Sequence, residues 1–104
     1  MAAHIHVEFD WNDAKELLNA RKHGVRFSRA IEVLNDPNAN TALDLLHSDD
    51  EDRWVTAGFD KGGTLLLVFH TYEEITPIDF YVRIISARKP TKREIEDYWK
   101  VRRT

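Results

Sequence analysis

The stretch Thr64–Tyr72 is almost continuously apolar, with Leu65–Phe69 unbroken at its centre. A strand without a polar face has to be covered from both sides, so the chain needs a sheet with layers packed above and below its middle. The same run is far short of the roughly 20 apolar residues that a membrane span takes, and no membrane partner is expected. With 104 residues there is room for one core, and residues 1–104 are expected to form a single domain. Three Trp, three Tyr and five Phe can fill that core, which argues against disorder. The absence of cysteine removes disulfide frameworks, thiol catalysis and Cys-based zinc sites. No basic region followed by an apolar stretch opens the chain, so a cytoplasmic location is expected.

Around the apolar run the pattern divides into short elements. His4–Trp11 alternates as a strand, with Ile5, Val7 and Phe9 on one face. Asn12 suits the N-cap of a helix whose spacing runs through Ala14, Leu17, Leu18 and Arg21, and Gly24 suits its stop. A second helix begins near Ser28 and ends at Asp36-Pro37, because proline disfavours helical geometry in the residue before it. Thr41–His47 reads as a strand, Ser48–Asp52 as an acidic turn and Arg53–Asp60 as an alternating strand. Lys61-Gly62-Gly63 then makes a hairpin into the apolar run. A loop holding Pro77 leads to a last strand, Phe80–Arg88, and Thr91-Lys92-Arg93-Glu94 opens a helix as a capping box. This order predicts an α+β fold: an antiparallel sheet of about four to five strands, two N-terminal helices and a C-terminal helix.

The formal charge of −3 conceals a segregation. Residues 15–29 carry five bases against one acid and residues 88–104 seven against three, while 30–60 carry eight acids and one base. Two basic segments brought together would make a basic face, the footprint of a nucleic-acid binder; two solvated helices are the plain alternative. The residues with chemistry to offer are His47, Arg53, His70, Arg83 and Arg88, at the ends of strands, with Lys89 just beyond. Arg83 and Arg88 stand in or beside an apolar strand, where a charge must be paired or face water. Their odd spacing puts them on opposite faces unless the strand bulges or ends between them. Either pairs with Asp44 or with carboxylates of Asp49–Asp52, or serves as a planar fork for phosphate.

His23 suits the negative end of a helix, His70 is as much a core polar group as a base, and Trp54 and Tyr98 suit either a core or base stacking. His4 and His6 lack a third ligand nearby, and Asp49–Asp52 lacks the ligand spacing of a calcium loop, so no metal and no cofactor are expected.

Taken together the residues resemble the BrnT family of bacterial type II toxins, whose fold is similar to that of RelE-like ribonucleases. The resemblance runs from about Phe9 to Tyr98. It rests on Trp11–Lys15, Asn19, Lys22-His23-Gly24-Val25, Phe27, Asp36-Pro37, His47-Ser48, Asp52-Arg53-Trp54, Gly58, the strand around Leu66–Thr71, and Arg83–Arg88, with Glu94 and Tyr98 closing it. Tyr72-Glu73-Glu74 departs from it where an Arg is common, and the loop from Glu73 to Phe80 is longer than usual.

The resemblance implies a metal-independent endoribonuclease that inhibits translation and is neutralised, as a hetero-oligomer, by a BrnA-type antitoxin, with operator DNA contacted only through that partner. RNA is cut without metal when its 2′-OH attacks the adjacent phosphate, which needs a base, an acid and cations for the developing charge. Arg83 and Arg53 are expected at the phosphorane, His47 or His70 as base or acid, and Arg88 as phosphate clamp. Lys22, His23, Lys89 and Tyr98 are expected to hold RNA. The acidic stretch 44–52 suits a basic partner segment better than RNA. The competing expectation is a non-catalytic member of the family that acts through its antitoxin and operator DNA.

Overall fold

The computed structural model describes residues 4–103. The order is β1 (His6–Asp10), α1 (Asp13–His23), α2 (Phe27–Leu34), β2 (Asn40–Leu43), a 3-10 turn (Leu45–His47), β3 (Trp54–Phe59), β4 (Leu65–His70), β5 (Glu73–Thr76), β6 (Asp79–Arg88) and α3 (Lys92–Arg103). The strands form one sheet in the order β1-β6-β4-β3-β2, and β5 pairs with β6 off that path. The apolar run is therefore the middle strand. Its Leu66 and Val68 are sealed beneath α2 and the α1–α2 corner, in a core with Val25, Phe27, Ala30, Val33, Ile84 and Ala87. The opposite face is covered in part by α3, whose Tyr98 is buried against Phe59.

Local chemistry fixes the helix ends. Asn12 Oδ1 accepts from the Lys15 amide at 3.1 Å, and Gly24, at φ 70°, closes α1 with its N–H on Ala20 O at 2.8 Å. The Thr91 amide donates to Glu94 Oε1 at 2.8 Å and the Glu94 amide to Thr91 Oγ1 at 3.2 Å, a reciprocal capping box. Helix α2 has no cap of its own. The Glu16 carboxylate of α1 accepts from its first amide, Phe27 N, at 2.9 Å, so one helix caps the next.

The sheet departs from the sequence expectation in three ways. It is mixed rather than antiparallel, because β1 pairs parallel with β6, from His6 opposite Asp79 to Asp10 opposite Arg83. Short connections dictate antiparallel pairing only between neighbours in sequence, and these two strands are separated by every other strand and two helices. There are six strands, because the expected loop at Glu73–Phe80 is a tight hairpin. Thr76 Oγ1 accepts from the Asp79 amide at 3.0 Å and donates to Asp79 Oδ2 at 2.6 Å, holding the turn around Pro77. The strand expected at Thr41–His47 stops at Leu43 and winds into the 3-10 turn.

Helix α1 also buries an unexpected face. Leu17 and Leu18 are exposed, and Glu16 and Asn19 are the buried residues. Asn19 donates to Val25 O at 2.9 Å and Ala87 O at 2.8 Å, and accepts from Ala87 N at 3.1 Å. Its amide closes the open edge of β6 as a further strand would. No helix among the described residues is long and apolar enough to cross a membrane.

Candidate active site

A bulge in β6 decides which side chains meet. Ile84 lies opposite His70 and Ser86 opposite Phe69, so Ile85 is an extra residue in β6. Two residues of β6 thus share one position of the ladder. Arg83 and Arg88, five apart, consequently emerge on the same face of the sheet, with Ser86 between them, while Ile84 and Ala87 both point into the core.

On that face lies a cavity of about 320 Å³. The last turn of α1 supplies Lys22 and His23, and the segment around the 3-10 turn supplies Asp44, His47 and Arg53. Its floor is Phe69 of β4 and Ile85, Ser86 and Arg88 of β6. His47 and Arg53 meet because Ser48 closes the acidic turn between them. Its hydroxyl donates to Asp44 O at 2.6 Å and accepts from Arg53 N at 3.0 Å, and Asp44 N reaches Arg53 O at 2.7 Å.

Each titratable group has a defined setting. His47 Nδ1 donates to Asp44 Oδ2 at 2.9 Å, which orients the ring and leaves Nε2 without a protein partner. Partial burial, followed by the nearby charges of Lys22 and Arg88, holds His23 below its ordinary 6.5 and keeps it a neutral acceptor at pH 7. Arg88 lies over the Phe69 ring, 5.4 Å from its centre, and spans both Glu94 oxygens at 2.8 and 3.0 Å. That fork raises the guanidinium and holds Glu94 at about 2. No carboxylate among the described residues lies within ion-pair distance of Lys22 or Arg53, so their charges face the cavity uncompensated.

Five of the residues expected from sequence therefore converge: Lys22, His23, His47, Arg53 and Arg88. Arg83 shares their face but lies outside the cavity, paired with Glu51 of the acidic turn. Lys89 is exposed beside Arg88, which donates to its carbonyl at 3.2 Å. Tyr98 is buried under α3 and offers no free ring face to RNA. His70 is on the other side of the sheet, buried, with Nδ1 on Thr71 O at 2.8 Å and Nε2 on Thr56 Oγ1 at 2.7 Å. His4 and His6 are exposed, and among the described residues no group of three or more His, Asp or Glu could hold a metal ion. The sequence reading missed Asp44 as the partner of His47, although the i,i+3 spacing on a short turn is visible. It also missed Phe69 as the platform for Arg88, a pairing that needs the register of β4 on β6.

The cleft and its fold agree with what known proteins show. The family described as "Ribonuclease toxin, BrnT, of type II toxin-antitoxin system" matches residues 11–94, which include every residue of the cleft. A crystal structure of the Brucella abortus ribonuclease toxin BrnT superposes with a TM-score of 0.54 at 18% identity, covering 84% of this chain and 99% of that one. At that identity the likeness speaks to the fold. Among curated proteins none matches. A family match over that span makes the chain a member of the BrnT family, the ribonuclease toxins of type II toxin–antitoxin systems.

Proposed function

We propose that the chain is an endoribonuclease that needs no metal and cleaves RNA through its own 2′-OH, is neutralised by a BrnA-type antitoxin, and contacts operator DNA only through that partner. The observation that carries this is the convergence of two differently set histidines with three cations in one cavity. A transferring phosphate accumulates negative charge, and Lys22, Arg53 and Arg88 supply the compensation as side chains.

In the reaction His23, neutral at pH 7, takes the 2′-OH proton while the 2′-oxygen forms its bond to phosphorus. The bond from phosphorus to the 5′-oxygen breaks, and His47, oriented by Asp44, delivers a proton to that oxygen. The products are a 2′,3′-cyclic phosphate and a free 5′-OH. Lys22 and Arg53 face the phosphorane. Arg88 keeps its fork on Glu94 and turns its remaining N–H groups to the phosphate. Arg83 continues the cationic track along β6 once Glu51 yields to RNA.

The test uses the purified chain, free of antitoxin, with RNA in excess EDTA, beside Arg53→Ala and His23→Ala. The wild type is expected to leave cyclic-phosphate ends. Each variant should cut about 10²–10³-fold more slowly, the cost of removing one placed electrostatic or proton-transfer group. Far-UV circular dichroism shows that each variant is folded. Cleavage that requires an added divalent ion, or an undiminished rate in Arg53→Ala, would sink the proposal.

A further inference from the structure

The larger cavity of the molecule, about 450 Å³, lies on the face of the sheet opposite the cleft, beside the end of α2. Val7, Phe9, Leu34, Trp54, Tyr72 and Val82 supply most of its surface. Its polar groups are already committed. His70 Nδ1 donates to Thr71 O, the Thr56 hydroxyl donates to His70 Nε2, and the Thr41 hydroxyl in turn bonds Thr56 at 2.7 Å. The Asp36 carboxylate accepts from Asn38 N and Phe59 N, both at 2.9 Å. A ligand finds no partner in these groups, so the cavity selects an apolar one. The apolar surface runs on beyond it. Ile5, just before β1, and Ile75 and Ile78 of the β5–β6 hairpin are 68%, 59% and 42% exposed.

The charge around this face is of one sign. β1, the α2–β2 connection, β5 and the start of β6 carry Glu8, Asp10, Asp36, Glu73, Glu74 and Asp79, and no lysine or arginine. Resting on the antitoxin that membership of a type II toxin family implies, we propose that this face docks a basic segment of the antitoxin, with a bulky apolar side chain seated in the cavity. RNA is excluded by the carboxylates. A second copy of the chain meeting it symmetrically would set the same acidic patch against itself. The antitoxin segment is thus held on the side of the sheet away from the cleft, through apolar burial for affinity and charge for register and on-rate.

The test pairs two rim substitutions, Val7→Lys with Tyr72→Lys, at positions exposed enough to keep the fold and outside the cleavage machinery. Tyr72→Ala alone serves as the milder variant. Binding of purified antitoxin is measured by calorimetry, and each free variant is assayed for RNA cleavage. The double variant should bind antitoxin at least about tenfold more weakly, Tyr72→Ala less so, and both should cleave as the wild type does. Arg53→Ala should bind antitoxin normally. As defined probes, a synthetic Lys/Leu amphipathic peptide should perturb Trp54 fluorescence and its Glu/Leu counterpart should not. Undiminished antitoxin binding by the double variant, loss of it in Arg53→Ala, or equal binding of the two peptides would overturn the proposal. So would self-association by sedimentation that the rim substitutions abolish, which gives the face to a second copy. A chain that fails to cleave RNA refutes the ribonuclease mechanism and leaves the docking result to be read by itself.

Discussion

Phe69 and His70 are neighbours on β4, yet Phe69 looks into the cationic cleft and His70 into the floor of the apolar cavity. Strand alternation is enough to divide them. What separates the two faces chemically is how far their polar groups are already satisfied. On the cleft side Lys22 and Arg53 have no counter-charge within ion-pair distance among the described residues, and His47 keeps Nε2 open. On the cavity side a chain of hydrogen bonds from Thr71 O through His70 and Thr56 to Thr41 consumes its polar groups. The same sheet thereby offers one surface suited to an anion and another suited to an apolar group. β6 makes the division hold along its length, because the extra Ile85 keeps Arg83 and Arg88 on one side and Ile84 and Ala87 on the other.

The substitution with the largest expected effect on this arrangement is Asn19→Ala. It strips partners from Ala87 N, Ala87 O and Val25 O, all served by one buried amide. Each buried group left unpaired costs about 1–3 kcal/mol, and a total near 3 kcal/mol is expected. For a domain of this size that lowers the melting temperature by about 10–20 °C. Ala87 stands between Ser86 and Arg88, so RNA cleavage at a permissive temperature should fall about tenfold or more through misplacement of the cleft floor. Binding of the Lys/Leu peptide on the other face should persist. Urea unfolding and cleavage that both match the wild type would show that Asn19 positions neither β6 nor the cleft.

A smaller effect is expected from Glu94→Gln, which disturbs the cleft side alone. Glu94 caps α3 and carries the Arg88 fork. Since its side chain is about a third exposed, the loss is screened to about 1 kcal/mol. The sign with pH follows from its depressed value. Held at about 2 in the fold against an ordinary 4.5, Glu94 stabilises fully above 4.5 and progressively less as pH falls toward 2. Melting curves between pH 7 and pH 3 (about the range where folding can be followed) should show a shallower acid limb in the variant than in the wild type. An unchanged limb would mean that the fork contributes nothing to stability.

These variants also mark what the sequence discloses and what it withholds. Asn12, Gly24 and the Thr91–Glu94 box are legible because each acts within three or four residues of itself. The position of the apolar run as the middle strand follows from its composition. The parallel pairing of β1 with β6 is illegible because nothing local records it. β5 is disguised by two glutamates and a proline, residues depleted in strands. Glu16 and Asn19 look like surface positions on α1 while Leu17 and Leu18 look like its core, and the structure reverses them. The groups these two polar side chains satisfy lie 11 and 68 residues away, so their burial has no periodic signature. For the site, residue types pointed to Lys22, His23, His47, Arg53 and Arg88. They could not separate His70 from that set, because its assignment to a face depends on the pairing of β4 with β3 and β6.

The two depressed histidines allow the finest comparison, since one stands on each face and each has its own readout. Burial is the leading cause for both, and both are held below the ordinary 6.5. An unfolded chain takes up these protons near 6.5 while the folded chain resists. Their contribution to stability is therefore complete above 6.5 and is lost as pH falls below it. His70, the more deeply buried, should dominate that loss, and His70→Gln should flatten the stability profile between pH 7 and pH 5 while leaving the pH dependence of cleavage where it was. His23 should do the reverse. As the base it must be neutral, so cleavage should rise with pH to a plateau reached below 6.5. His23→Gln should abolish that limb with the activity and remove less of the stability slope. Should His70→Gln move the cleavage profile, the two faces are coupled through β4 and their separation by strand alternation is functionally incomplete. Should it leave both profiles unmoved, the buried ring is not the group that makes the fold sensitive to acid.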